Sequence, residues 1–170
     1  DGFEADDILG TIVTLNSKEN IEQYIVSGDK DLMQLVNENT FVYSPGNNFQ
    51  PKKIYTEEKV VDKWGVHCGS IIDYLALVGD SSDNVPGVPG IGIKTAAELI
   101  NKYKSLENLL ERANEIPQNK RRETLLTNKD KAILSRKLVT LKDDVPVKDE
   151  LNSFVLKDVQ KEILYDFLRE

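Results

Sequence analysis

Residues 79–96 have the sequence GDSSDNVPGVPGIGIKTA, and this stretch decides the fold of the 170-residue chain. Its two prolines and four glycines exclude a continuous helix or strand, so it predicts an irregular loop between two helices. Glycine-rich turns that lead into a helix expose backbone N–H groups beside the positive end of the helix dipole. Lys94 and Thr95 add a charge and a hydroxyl at that point. The stretch therefore predicts a binding site for a phosphate oxygen.

Contacts of this kind hold the phosphate backbone of a nucleic acid rather than its bases, so we expect binding to be sequence-independent. The predicted contact residues are Gly87, Val88, Gly90, Ile91, Gly92, Lys94 and Thr95. Two alternatives stay open, a nucleotide-binding loop and a purely structural turn. The first would need a preceding strand or a P-loop spacing of Gly, Lys and Thr, and the sequence predicts neither.

Acidic residues concentrate in three short segments where the backbone changes direction: 4–7, 29–31 and 80–83. The second segment follows a predicted strand, the usual position of ligand-binding residues in open α/β sheets. Clustered carboxylates repel one another unless cations neutralise them, and oxygen-only ligands suit Mg²⁺ or Mn²⁺. Two such ions about 4 Å apart would hold the attacking and leaving oxygens of a phosphodiester. The predicted catalytic and metal-binding residues are Glu4, Asp6, Asp7, Asp29, Asp31, Asp80 and Asp83.

Each acidic segment also has a structural explanation when it is taken alone. Acidic residues in the first turn of a helix are stabilised by capping and by the helix dipole. Asp31 is a candidate N-cap, and Asp80 and Asp83 are typical of Asx-turns. Three such segments in one chain favour a metal site over three separate caps.

The charge of the chain is unevenly distributed along the sequence. The net charge is −7, which would argue against a nucleic-acid partner if it were evenly spread. Residues 1–40 hold nine acidic residues against two lysines, whereas residues 91–142 hold twelve Lys or Arg against six Asp or Glu. The sequence therefore predicts an acidic first part and a basic part suited to phosphate.

Composition excludes several classes of protein. With 39% hydrophobic and 30% charged residues, the chain is typical of a globular domain and not of wholesale disorder. One Cys cannot form an internal disulfide, and no apolar run approaches the roughly 18 residues of a membrane span. We therefore expect a cytoplasmic protein without a membrane partner.

Periodicity and turn signals predict an α/β first part and a mostly helical second part. Residues 45–48 predict a hairpin turn, and Ser70 with Asp73 predicts a capping box. The predicted helices are 3–16, a short one from 31, 56–64, 71–78, 93–102, others to about 137, and 156–168. The predicted strands are 21–27, 41–43, 53–55 and 138–141.

Four motifs occur in a distinctive order along the chain. They are GFEADDI at 2–8, SGDKDLMQL at 27–35, GDSSDN at 79–84 continuing to GIKTA at 92–96, and KAILSRKL at 131–138 continuing to DVP at 144–146. Together they closely resemble the 5′→3′ exonuclease domain of bacterial DNA polymerase I, a member of the flap-endonuclease superfamily. The resemblance implies an α/β fold in which a PIN-like sheet portion is followed by a helical subdomain with a helix–three-turn–helix DNA-binding module.

The resemblance also implies roles for the motifs. The seven acidic residues match the family's ligands for two divalent ions, Mg²⁺ or Mn²⁺. Residues 87–96 match the module that holds duplex DNA, often with K⁺ bound by turn carbonyls. The implied activity is that of a 5′→3′ exonuclease or 5′-flap endonuclease, which hydrolyses a phosphodiester near a 5′ end or flap and removes primers.

The implied domains are 1–78, the C-terminal part of the PIN-like catalytic domain, and 79–170, the DNA-binding and C-terminal helical region. The family has an upstream third with two further metal-binding aspartates and a basic helical arch. We expect that part, and a downstream polymerase, to lie outside this chain. We therefore expect a monomeric, truncated chain whose activity alone is doubtful.

Two other functions stay open at this stage. A non-catalytic module for sequence-independent binding of duplex DNA would keep the turn and lack the chemistry. A Mg²⁺-dependent phosphatase of small molecules would use the acidic residues without the basic part.

Overall fold

The computed structural model describes residues 2–19, 21–46, 51–147 and 155–169. Within these ranges the chain forms a small sheet followed by a largely helical part. The strands are β1 (Gln23–Val26), β2 (Thr40–Ser44) and β3 (Lys53–Tyr55). The α-helices are α1 (Ala5–Leu15), α2 (Glu57–Trp64), α3 (Ile71–Val78), α4 (Ile93–Tyr103), α5 (Leu106–Glu111), α6 (Asn119–Thr127), α7 (Lys129–Val139) and α8 (Lys161–Arg169). Short 3₁₀ helices cover Asp31–Leu35, Cys68–Ser70 and Ala113–Glu115.

The sheet has the order β1-β2-β3, with β1 parallel to β2 and β2 antiparallel to β3. In its register Ile25 lies opposite Val42, and Val42 lies opposite Tyr55. All three side chains are buried, so one face of the sheet packs on the core. The β2–β3 pairing confirms the predicted hairpin, although residues 47 and 48 of the predicted turn lie outside the described residues.

α2 begins and ends where the local signals predict, and α3 ends as predicted at Gly79. The Thr56 side chain accepts a hydrogen bond from the Lys59 N–H at the start of α2, and α2 ends at Gly65 in the left-handed region. α3 is apolar on most sides and packs against both α4 and α7, so it forms the centre of the core. Among the described residues, no helix combines the length and apolarity needed to cross a membrane.

Two predicted elements are wrong at the end of the chain. Residues 138–141 do not form a strand, because α7 continues to Val139 and the Leu141 N–H donates to the Gln34 side chain instead of a neighbouring strand. The last helix begins at Lys161 rather than at 156, and none of its residues is buried.

The predicted capping box at the start of α3 is also wrong. Ser70 makes no side-chain capping bond there. The buried Asp73 carboxylate instead accepts the Leu106 N–H at the start of α5, at 3.0 Å, and lies 3.0 Å from Arg136 Nε on α7. Asp73 therefore joins three helices, since a buried carboxylate is stable only with such partners.

The start of the chain and the segment after α7 lie side by side. The Asp7 carboxylate accepts the Lys142 N–H at 2.9 Å, and the Thr11 hydroxyl accepts the Val145 N–H at 3.1 Å. Close packing of the two segments depends on Gly10, where a Cβ would lie 3.0 Å from the Lys142 carbonyl oxygen.

The loop between α3 and α4 returns on itself at its base. Gly79 and Gly87 both have positive φ, and a Cβ on Gly87 would lie 2.6 Å from the Gly79 nitrogen. Between them, Asp80 and Val85 exchange backbone hydrogen bonds of 2.9 and 2.8 Å. The Gly87 N–H donates to the Ser135 hydroxyl on α7 at 2.9 Å. These contacts close a small loop and fix it to the core.

We expect Gly87→Ala to lower the free energy of unfolding by about 3 kcal/mol or more, because the new Cβ meets backbone atoms that cannot move away. Gly90→Ala is the matched control. Gly90 also has positive φ, 79°, but a Cβ there meets nothing within 4 Å. Its cost should be that of the backbone conformation alone, about 1 kcal/mol. Urea unfolding of the two variants measures both values, and equal losses would contradict the close approach of the two glycines.

Candidate metal and nucleic-acid site

Five of the seven predicted carboxylates line one cleft of about 300 Å³. They come from three places in the fold: the start of α1, the segment after β1, and the tip of the loop after α3. Leu138, Val139 and Leu141 form an apolar wall that the sequence did not predict. The five acidic residues are Glu4, Asp6, Asp29, Asp31 and Asp83.

Burial and mutual repulsion raise the pKa of two of these acids. The pKa of Asp31 rises from 3.8 to about 6, first because the side chain is partly buried and then because Asp29, Asp83 and Asp6 lie near it. The Lys30 ammonium opposes this rise. Burial, followed by repulsion from Asp29, also raises the pKa of Asp6. The acids therefore act on one another as a single electrostatic cluster.

Asp7 is oriented differently from the five cleft residues. Its carboxylate accepts the Lys142 N–H at 2.9 Å and the Glu4 N–H at 3.2 Å. These hydrogen bonds, the Lys142 bond first, lower the pKa of Asp7. Asp7 thus fixes the start of α1 against the segment after α7, at the edge of the cleft.

Asp80 is buried and forms an ion pair with a lysine of the same chain. Its Oδ1 accepts the Ser82 N–H at 2.8 Å, and its Oδ2 contacts Lys30 Nζ. Lys30 is not among the predicted site residues, although its position between two aspartates is a usable signal. Asp31 is not the predicted N-cap: Lys30 precedes the 3₁₀ helix, and the Asp31 N–H donates to Asp29 Oδ1 at 2.9 Å.

The donor set of the cleft fits a divalent ion. All five cleft side chains offer carboxylate oxygens, the ligands preferred by Mg²⁺ and Mn²⁺. Asp31 Oδ1 is buried and accepts no hydrogen bond from the described residues. No three His, Cys, Asp or Glu side chains in the described ranges lie close enough to hold one ion as they stand. The carboxylates would therefore have to draw together around a bound cation.

The glycine-rich turn uses some of its backbone donors internally. The N–H groups of Gly87, Val88 and Ile91 donate to the Ser135 hydroxyl, the Leu77 carbonyl and the Val88 carbonyl. The Val88 and Ile91 side chains are buried. The described contacts of these three predicted contact residues therefore stabilise the turn itself.

The start of α4 presents the remaining donors. Gly92 is its N-cap and supplies no side-chain cap, so the first N–H groups of the helix have no partner among the described residues. Gly90, Gly92 and Lys94 are exposed, and a Cβ on either glycine would meet nothing within 4 Å. This surface is open to an anion.

In the basic part of the chain, three arginines form ion pairs with acidic side chains of the protein. Arg121 pairs with Glu98 at 3.1 Å, Arg112 pairs with Glu115 at 2.7 Å, and Arg136 pairs with Asp73. Between residues 94 and 137, seven lysines form no ion pair with the described residues and are the better candidates for phosphate contact: Lys94, Lys102, Lys104, Lys120, Lys129, Lys131 and Lys137.

An acidic cleft and a helical turn whose N–H groups are open to an anion, on one α/β fold, are typical of the class of proteins that act on phosphate-containing chains. Comparison with known families identifies the class. The family model described as 5′-3′ exonuclease, N-terminal resolvase-like domain, matches residues 1–65. The model described as 5′-3′ exonuclease, C-terminal SAM fold, matches residues 66–162. The chain belongs to the 5′-3′ exonuclease family, which confirms the resemblance seen in the motifs.

Curated relatives cover the chain almost completely. It is 48% identical over 169 residues to DNA polymerase I of Rhizobium leguminosarum, which is 99% of this chain and 16% of that protein. It is 40% identical over 162 residues to a 5′-3′ exonuclease of Buchnera aphidicola, which is 92% of this chain and 55% of that protein. The chain thus spans about a sixth of the first relative and about half of the second.

A solved structure supports the fold class. The structure of T5 5′-exonuclease with bound divalent metal ions (zinc) superposes with a TM-score of 0.72 at 23% identity, over 81% of this chain and 50% of that chain. The predicted α/β fold with a following helical subdomain is confirmed. The two family models meet at residues 65 and 66, and the domain boundary at 78 and 79 stays a prediction.

We expect Asp31→Asn to stabilise the metal-free chain. Folding favours the protonated form of Asp31, so its contribution to the free energy of unfolding falls as the pH rises from about 3.8 to about 6. The neutral amide that replaces the carboxylate does not ionise, so the variant does not lose this part of the free energy of unfolding. The gain should be absent below pH 4 and reach about 1–2 kcal/mol at pH 7, less than a fully buried group would give, because water screens the partly exposed side chain.

Thermal or urea unfolding in EDTA across this pH range measures the gain. Asp62→Asn on the exposed surface of α2 is the matched control and should change stability little at any pH. A variant that is equally destabilised at every pH would show that Asp31 is a structural residue and not part of a repulsive cluster.

Proposed function

We propose that this chain carries the metal-dependent site of a 5′→3′ exonuclease or 5′-flap endonuclease that hydrolyses DNA phosphodiesters. One observation carries the proposal: a single loop joins the acidic cleft to the helical turn. Asp80 and Asp83 lie at one end of this loop, and Gly90, Gly92 and Lys94 lie at the other. A DNA strand bound at the start of α4 would therefore be held at a defined distance from the carboxylates.

The residues divide into three roles. Glu4, Asp6, Asp29, Asp31 and Asp83, joined by Asp80, would hold two divalent ions, Mg²⁺ or Mn²⁺. Ions of this kind act as Lewis acids on a phosphodiester and lower the pKa of water. The apolar side chains of Leu138, Val139 and Leu141 line one side of the cleft, and Asp7 keeps α1 in position.

The helical turn would bind one DNA strand through its phosphates. The free N–H groups at the start of α4 and the Lys94 ammonium contact phosphate oxygens, which carry no sequence information. Gly87, Val88, Ile91 and Thr95 shape or complete the same surface. Carbonyl groups of the turn would hold K⁺ if a monovalent ion contributes.

The natural substrate would be duplex DNA with a 5′ end or flap, as in primer removal. The relative in Rhizobium leguminosarum is a DNA polymerase I, and we infer the same association with a polymerase, in a monomeric cytoplasmic protein, for this chain. Because the chain spans about half of the exonuclease relative, the activity is proposed for the protein that contains this site.

A chimera gives the sharpest test of cleavage. In it, this chain replaces the aligned segment of the Buchnera aphidicola exonuclease, and it is incubated with a 5′-flap duplex and Mg²⁺. We expect cleavage near the flap junction, and we expect Asp83→Asn to reduce the rate about a hundredfold or more through loss of a metal ligand. Asp62→Asn is the matched control and should cleave at the parental rate. The proposal fails if the chimera does not cut, or if Asp83→Asn cuts as fast as the parent.

DNA binding gives a second, independent prediction. We expect Lys94→Gln to weaken binding of unrelated duplexes equally and to reduce the slope of log affinity against log salt by about one. Lys18→Gln removes the same charge from the acidic part of the chain and should leave the slope unchanged. Fluorescence anisotropy at several salt concentrations measures both variants.

The two experiments also distinguish the proposed nuclease from the main alternative. A non-catalytic duplex-binding module would show the Lys94 effect on binding, whereas the chimera would leave the flap uncut. One observation favours this alternative: no three His, Cys, Asp or Glu side chains of the described residues lie close enough together to hold one metal ion.

A further inference from the structure

Lys30 and Asp80 form an ion pair across fifty positions of sequence. Lys30 lies between two acids of the cleft, Asp29 and Asp31, in the segment after β1. Asp80 lies at the end of α3, and its side chain is only 7% exposed. Within the described residues, no other lysine or arginine forms an ion pair with any of the seven predicted carboxylates.

The pair solves an electrostatic problem of the ion-free protein. A buried carboxylate without a cation is unfavourable, and the Asp80 side chain is almost completely buried. Among the residues that the structure describes, Oδ1 accepts a hydrogen bond only from the Ser82 N–H, so the Lys30 ammonium on Oδ2 supplies the neutralising charge. The same ammonium acts on Asp31, which places it within the field of the cleft.

A divalent ion bound to Asp80 Oδ2 would repel the Lys30 ammonium that contacts the same oxygen. We propose that Lys30 is an internal counter-ion that occupies Asp80 in the ion-free protein and competes with the divalent ion for that carboxylate. This inference rests on the proposed metal site. It assigns Lys30 a positioning role: it keeps Asp80 in place before the ion binds, and it lowers the affinity for the ion.

The side chain of Lys30 is suited to leaving its partner. It is 37% exposed, so the ammonium can move into water, and its four-carbon stem is flexible. A purely structural ion pair would be expected to stay closed when the ion binds. The two roles therefore differ in what removal of the lysine charge does to metal affinity.

Calorimetric titration of the chain with Mn²⁺ tests the inference. We expect Lys30→Gln to bind Mn²⁺ on the order of tenfold more tightly than the parent, because a competing charge has been removed. Lys30→Arg keeps the charge and should bind as the parent does. Lys142→Gln removes a lysine charge beside Asp7, where the ammonium lies 5.0 Å from the centre of the Phe3 ring, and should change affinity less than twofold.

Thermal unfolding gives a readout that does not depend on activity. In EDTA, Lys30→Gln should unfold at a lower temperature than the parent, since Asp80 has lost its cation. Saturating Mn²⁺ should then raise the unfolding temperature of Lys30→Gln more than that of the parent.

The outcomes separate this inference from the proposed function. If the parent binds no Mn²⁺, the proposed metal site fails and the inference fails with it. If the parent binds Mn²⁺ and Lys30→Gln binds it equally or more weakly, the competition is refuted and the metal site stands.

Discussion

The backbones at residues 79 and 87 approach so closely that neither position has space for a side chain. This contact fixes the path of the chain between α3 and α4. On one side it ends α3 and directs Asp80 towards the segment after β1. On the other it begins the turn that leads to the first N–H groups of α4. The part of the acidic cleft that this loop contributes and the helical turn are therefore positioned by the same pair of glycines.

α7 holds the parts that this contact positions. Ser135 accepts the Gly87 N–H, Arg136 pairs with Asp73 on α3, and the Val139 carbonyl accepts a hydrogen bond from Gln34 at 2.9 Å. One helix thus connects the base of the loop, the central helix and the segment after β1. Its end also forms the apolar wall of the cleft. The segments that carry the acids stay adjacent because they share this support.

Local signals in the sequence predicted local structure well. The hairpin, the Thr56 cap and the end of α3 at Gly79 each depend on neighbouring residues. The roles of Asp7, Asp73 and Asp80 were not predictable in this way, because each carboxylate has its decisive partner 33 to 135 positions away. Clustered acids indicated a metal site and its residue types. They could not indicate which carboxylates face the cleft, since that depends on distant amide and ammonium groups.

The contact between the start of α1 and the segment after α7 has a topological consequence. Asp7 and Thr11 accept backbone N–H groups of Lys142 and Val145, so the described body between them forms a nearly closed ring of chain. The order of the elements in the sequence could then be changed without changing their arrangement in space. A circular permutant that joins these two neighbouring ends by a short linker, and opens the chain in the β2–β3 connection, would retain the sheet, the glycine contact and the cleft.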